Sequence, residues 1–141
     1  MNAIYHEVGH WLVADALGYK GMITGNLKEN TSFGFTLLDK IENNERGLKH
    51  QLAIAFGGKA AEEILNLPPN AGYIGDLQIA CLHLKQLKEI KGEKFEFKNY
   101  LDFSENELEK YLQISKSIIQ KLGGRELIIE NGNYVFNRLK N

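Results

Sequence analysis

The sequence predicts one mainly helical domain with a small β component, an α+β fold, and three observations carry that prediction. Apolar residues recur at helical spacing in four separate stretches. Two short strand-like segments lie between the first and second of these. The chain has 141 residues, 43% of them apolar and 25% charged, which suits one core in one domain, 1–141.

Residues 2–17 form the first predicted helix, with Ile4, Val8, Trp11, Leu12 and Ala16 in step and Asn2 as its N-cap. Gly18 and Gly21 break the pattern. Met22 to Leu27 and Phe33 to Leu38 read as two short strands joined by a polar segment, Lys28 to Ser32. A second helix is expected from about Arg46 to Leu65, with Leu48, Leu52, Ala55, Phe56, Ala60 and Ile64 on one face. Gly57-Gly58 in its middle costs about 1 kcal/mol per residue relative to Ala. Close approach of another backbone, that of the first helix, would offset this. Pro68-Pro69 ends the element, and Asn70 to Gly75 reads as a loop. A third helix is expected from Asp76 to about Ile90. Lys91 to Tyr100 carries no clear signal. Ser104 and Glu107 form a capping box that opens a fourth helix to about Leu122, stopped by Gly123-Gly124. Glu126 to Phe136 reads as a C-terminal hairpin turning at Asn131-Gly132.

Composition excludes several classes. Seventeen Lys and Arg against 18 Asp and Glu leave a net charge of −1, without the basic excess of a nucleic-acid binder. A single cysteine, Cys81, forms no internal disulfide and suits a reducing compartment. No apolar run approaches the ~20 residues of a membrane span. His6, Glu7 and Asp15 interrupt the N-terminal segment where a secretory signal needs an apolar stretch. The expected setting is cytoplasmic.

The strongest chemical signal is His6-Glu7-Val8-Gly9-His10, an H-E-x-x-H on a predicted helix. Four residues are just over one turn, so both imidazoles leave the same face and can share one Zn²⁺. Glu7 then stands beside the metal as general base, and the ion activates water and polarises a carbonyl. A catalytic zinc takes a third protein ligand and keeps one open position. His50 and His83 read more readily as packed or solvated residues than as that ligand. Asp76, read alone, favours a helix N-cap. Cys81 lies on an apolar stripe and reads as a small hydrophobe. Trp11 reads as core, with a substrate-pocket role as its alternative. Lys85, Lys88, Lys91 and Lys94 among Glu89, Glu93 and Glu96 read as a solvated face.

Ala3 to Ala14, around the H-E-x-x-H, resembles the zinc helix of the FtsH-type AAA zinc metalloproteases. Two further blocks follow in the same order. Ile54-Ala55-Phe56-Gly57-Gly58-Lys59-Ala60-Ala61-Glu62-Glu63-Ile64 resembles that family's "LLGGRAAEEL" helix, and Gly75-Asp76-Leu77-Gln78-Ile79-Ala80 its "SNDLxxAT" segment. Gly34-Phe35-Thr36 sits where the family has "GVT" in a strand. The resemblance covers roughly residues 1–90, and 91–141 diverges. It implies an FtsH-peptidase-like helical domain with a short sheet beside the zinc helix. It also implies that Asp76 is the third zinc ligand. Glu62 and Glu63 are both candidates to hold a ligand histidine by its second nitrogen, and the sequence does not choose between them.

The chain lacks the G-x-x-x-x-G-K-[ST] phosphate loop of the family's ATPase, and Ile74-Gly75 replaces its "SN". The reading that follows is a stand-alone zinc metalloendopeptidase acting on flexible or unfolded polypeptide, with a separate ATPase unfoldase or a homo-oligomer as partner. A second reading is a catalytically silent zinc-binding or protein-binding regulatory module of the same fold; an intact Glu7 weighs against it. A third, another kind of H-E-x-x-H hydrolase, leaves the Gly57 to Glu63 block unexplained. A protease must also hold its substrate extended. Phe33 to Leu38 is therefore expected to be an exposed edge strand beside the metal, with Phe33, Gly34, Phe35 and Thr36 meeting substrate. Its alternative is a strand paired on both sides whose Gly34 marks a bulge.

Overall fold

The computed structural model describes residues 1–28, 31–69, 72–93 and 105–140. In chain order the elements are α1 (Asn2–Ala16), β1 (Gly21–Asn26), β2 (Thr31–Leu37), α2 (Glu45–Ala55), α3 (Gly57–Ile64), α4 (Gly72–Ile90), α5 (Glu105–Leu122) and α6 (Arg125–Lys140). The protein is mainly helical, with one two-stranded antiparallel sheet.

Helix α1 is the spine. Ile4, Val8, Leu12, Val13 and Ala14 are buried, and so are His6 and His10. Its cap is Met1 rather than Asn2, which is already helical. It ends in a Schellman turn: Gly18, at φ +93°, donates to the Asp15 carbonyl, and Tyr19 donates to that of Ala14. The sheet follows with Ile23 opposite Phe35 and Thr24 opposite Gly34, each strand displaced by about a residue from expectation.

The single helix expected over 46–65 is two helices. Phe56 leaves helical geometry, and α3 starts again at Gly57. The expected close approach explains the break. A Cβ on Gly9 would lie 2.1 Å from the Gly57 carbonyl oxygen, and one on Gly57 would lie 2.6 Å from that of Gly9. Two backbones touch where no side chain fits. The start of α2 is set by Asn44, whose side chain accepts from the Gly47 N–H at 2.8 Å.

Helix α4 begins at Gly72, four residues before the expected start, so the loop expected over Asn70 to Gly75 is largely helix. Helix α5 ends at Leu122 as expected, with Gly123 and Gly124 both at positive φ. Ser104 of the capping box lies outside the described residues. The hairpin expected over Glu126 to Phe136 is instead part of α6. Gly132 serves packing there rather than a turn: a Cβ on it would lie 2.4 Å from the Tyr5 ring of α1. Asn131 donates its side-chain amide to the Leu127 carbonyl one turn back. Among the described residues no helix is long and apolar enough to cross a membrane.

Candidate metal centre

Helix α1 places His6 and His10 one turn apart, and α4 brings Asp76 against both. Asp76 Oδ2 lies 2.8 Å from His6 Nε2 and 3.0 Å from His10 Nε2, and the two Nε2 atoms are 3.2 Å apart. Tetrahedral zinc with bonds of about 2.0–2.1 Å sets its ligand atoms roughly 3.3 Å from one another. The three observed separations are a few tenths of an ångström shorter, close enough that a small outward shift of the side chains would admit the ion. Asp76 is the fifth residue of α4, so it does not cap that helix and its carboxylate is spent on the histidines.

The other imidazole nitrogens are also committed. His10 Nδ1 donates to the Ile54 carbonyl at 2.7 Å. A carbonyl only accepts, so Nδ1 carries the proton and a neutral His10 keeps its lone pair on Nε2. His6 Nδ1 is bonded by Glu62 Oε1 of α3. Both Nε2 atoms therefore face the point that Asp76 Oδ2 also faces, donating to it when the imidazoles are charged and offering lone pairs there when they are neutral. This arrangement fixes the tautomers of metal-ligating histidines. The choice the sequence left open falls on Glu62, buried at 2% exposure; Glu63 Oε2 is buried without a hydrogen-bond partner among the described residues. Gly58, one turn before Glu62, lies under the His6 ring, and a Cβ there would come within 2.4 Å of it. The glycine pair thus seats α3 on α1 and leaves room for His6 in one stroke.

Electrostatics follow from this enclosure. Burial alone would lower His6, but the Asp76 and Glu62 carboxylates outweigh it and hold the imidazole at about 9. His10 is likewise raised: burial opposes its charge, and its bond to Asp76 prevails. Burial would raise Asp76, but hydrogen bonds from His10 and His6 pull it to about 2. Glu7 is pushed up, first by burial, with the two histidines pulling the other way.

A cleft of about 320 Å³ opens beside the three residues. Glu7, His10 and Asp76 line it with Gly34, Phe35 and Leu37 of β2, and α2 and α4 complete it. The Phe35 ring stacks on His10, centroids 6.0 Å apart and planes at 17°. Among the described residues β1 is the only strand beside β2. Leu38 N–H donates to the Lys20 carbonyl at 2.9 Å, and Arg138 of α6 donates to the Ile23 carbonyl at 2.5 Å. Bonded and non-bonded pairs alternate along an antiparallel ladder. Ile23 and Phe35 are therefore a non-bonded pair, as are Gly21 and Leu37, and Phe35 and Leu37 turn their N–H and C=O groups away from β1. The outer side of β1 is partly closed by Arg138, while that of β2 borders the cleft. Phe33 and Thr36 are not among the cleft residues; the Phe33 ring lies over Gly25. A register irregularity does lie next to Gly34, between the pairs Thr24–Gly34 and Asn26–Thr31.

Other residues weighed in the sequence go elsewhere. His50 Nδ1 is 2.6 Å from the Tyr19 hydroxyl, outside the metal group. Cys81 is buried, and burial pushes its thiol up to about 11. Trp11 lines a separate groove of about 240 Å³ formed with β1 and α6. His83 lies on the cleft wall. The Ile54 carbonyl and the cleft positions Gln51 and Ile79 were not foreseen, and Leu37 was expected only as part of the edge strand; a carbonyl acceptor leaves no side-chain signal.

No family model matches the chain, and no solved structure matches it significantly. The chain is 37% identical over 83 aligned residues to the ATP-dependent zinc metalloprotease FtsH 4 of Synechocystis sp.. The alignment covers 54% of this chain and 13% of that protein, so the chain corresponds to a small part of its relative. Over that part, this mainly helical chain, with its buried His6 and His10 beside a half-buried Asp76, is similar to an FtsH-type zinc metalloprotease, consistent with an FtsH peptidase-like domain.

Proposed function

We propose that the chain is a zinc metalloendopeptidase that hydrolyses flexible or unfolded polypeptide. The observation that carries this is the convergence of His6 Nε2, His10 Nε2 and Asp76 Oδ2 on one point, with Glu7 on the same cleft. His6, His10 and Asp76 would hold Zn²⁺, and Glu62 and the Ile54 carbonyl would orient the two imidazoles. Bound zinc supplies Lewis acidity to the water nucleophile and the scissile carbonyl. Glu7 takes the proton from the attacking water and returns it to the leaving amine. Its raised affinity for protons suits a group that must hold one between the two transfers.

The free edge of β2 gives the substrate its direction. An extended peptide adds to the outward N–H and C=O groups of Phe35 and Leu37, through main-chain bonds that make little demand on sequence. Folded substrates have no free strand to offer, so a separate ATPase unfoldase or an assembly of several copies would deliver them. A reducing, cytoplasmic setting suits the lone thiol of Cys81.

The test is cleavage of casein by the zinc-loaded chain and by Glu7→Gln. The wild type should cut casein; Glu7→Gln should keep its zinc and lose roughly 10²–10⁴-fold in rate. Undiminished hydrolysis by that variant would remove Glu7 from the chemistry. Bound zinc with no hydrolysis by the wild type would favour a silent binding module.

A further inference from the structure

We propose that His83 is a specificity-determining residue of the cleft, selecting a hydrogen-bonding side chain three residues from the scissile bond. The inference rests on the peptidase reading above and deepens it. His83 follows Asp76 by seven residues on α4, two helical turns, and so leaves the same face. Both line the one cleft, with Ile79 between them. Seven residues at 1.5 Å place it about 10.5 Å along the helix from Asp76. An extended peptide advances about 3.3 Å per residue, so for a peptide running along α4 this distance corresponds to three residues. The free edge of β2 forms another wall of the same cleft and would hold the peptide extended.

The chemistry of His83 fits a contact with substrate. It is not part of the His6, His10 and Asp76 group, so it does not serve as a further ligand. Its Nδ1 is buried without a hydrogen-bond partner among the described residues. A buried nitrogen without a partner is costly, so a ring turn that meets a substrate group is favoured. Burial also keeps the imidazole below its ordinary value, hence neutral at pH 7. A neutral imidazole offers one donor and one acceptor, which suits Ser, Thr, Asn or Gln better than a charged side chain. Apolar Ile79 lies between Asp76 and His83 on this wall, so His83 is the polar side chain that α4 presents beyond Asp76, with Gln51 of α2 also on the cleft.

Two measurements test this. First, zinc-loaded Glu7→Gln, which should bind without cutting, is presented with a library of unstructured nonapeptides, alone and with His83→Leu added. Second, casein fragments from the zinc-loaded wild type and His83→Leu are mapped by mass spectrometry. The Glu7→Gln chain should enrich peptides with Ser, Thr, Asn or Gln at one position by about three- to tenfold over Leu. Adding His83→Leu should abolish that enrichment, and His83→Gln should restore part of it. In casein, the wild-type preference should fall at the third residue from the cut bond and vanish in His83→Leu, with zinc content and circular dichroism unchanged. Identical profiles for both chains, no peptide binding, or loss of zinc in His83→Leu would overturn the proposal. Casein left intact by a wild type whose peptide preference still depends on His83 would defeat the peptidase reading and leave the subsite standing. Cleavage at sites indifferent to His83 would do the reverse.

Discussion

Two glycine sites in helices pack against the same spine, and they do so differently. Gly57-Gly58 of α3 meets the backbone of Gly9 and the ring of His6; Gly132 of α6 meets the ring of Tyr5. Both remove a Cβ so that a helix can approach α1. At α3 the neighbour is main chain that cannot yield, plus an imidazole held at both nitrogens. At α6 it is the edge of an aromatic ring, which can turn. The α3 contact therefore shapes the candidate metal centre, whereas the α6 contact only fills space. Glycines of the first kind should be intolerant of any side chain, and those of the second tolerant at moderate cost.

The largest expected effect is at the backbone contact. Gly9→Ala sets a methyl 2.1 Å from the Gly57 carbonyl oxygen. Overpacking of a tight core costs typically 1–3 kcal/mol, and immovable main chain places this variant at or above about 3 kcal/mol. Chemical denaturation should show that loss. A Gly9→Ala chain as stable as wild type would mean that α1 and α3 are not in contact.

Gly58→Ala comes next, because its methyl strikes the His6 ring rather than main chain. Zinc affinity should fall more than in any variant that keeps all three ligands, with a smaller loss of stability than Gly9→Ala. Glu62→Gln should follow, since partners of ligating histidines are worth about 10–100-fold in metal affinity. Competition with a chromophoric chelator measures both. Glu63→Gln should change affinity little, and an equal loss from either glutamate would blur the distinction the structure draws.

The smallest structural effect is expected of Gly132→Ala, about 1 kcal/mol or less after Tyr5 rotates, with zinc affinity unchanged. A collapse as large as that of Gly9→Ala would erase the contrast between the two contacts.

The protons at the centre sharpen the same contrast. In the metal-free chain His6 is raised from 6.5 to about 9, so its stabilising contribution is complete below pH 6.5 and is lost as pH rises through 9. Asp76 is lowered from 3.8 to about 2, so its contribution is present above pH 3.8 and is lost as pH falls through 2. With chelator present, Tm should therefore decline from pH 6.5 to 9. Zinc competes with the His6 proton, so the rise in Tm on adding zinc should grow over the same range. Calorimetry with and without zinc checks both signs.

How much of this was legible in the sequence follows from the same physics. The H-E-x-x-H fixed its own geometry, because helical periodicity alone puts His6 and His10 on one face. Gly57-Gly58 signalled a close approach because two glycines inside an apolar helical pattern call for a compensating neighbour. Asn131-Gly132 sent the opposite message from the same cause. Asn-Gly is a strong hairpin signal locally, and only the distant Tyr5 makes a helix with a glycine notch the better solution. The start of α4 was hidden because Gly72 to Gly75 carries two glycines that local propensity assigns to a loop. The role of Asp76 came from resemblance rather than from its surroundings, which required α4 to be folded against α1. The Ile54 carbonyl has no sequence signal at all.

His6, His10 and Asp76 are proposed to form one zinc site. Zinc stoichiometry of the purified chain, measured beside His10→Ala, Asp76→Ala and Cys81→Ser, tests it most directly. About one zinc per wild-type chain is expected, the same for Cys81→Ser, and a sharp loss in both His10→Ala and Asp76→Ala with helical content retained. Full zinc in Asp76→Ala together with its loss in Cys81→Ser would contradict the ligand set and the function built on it.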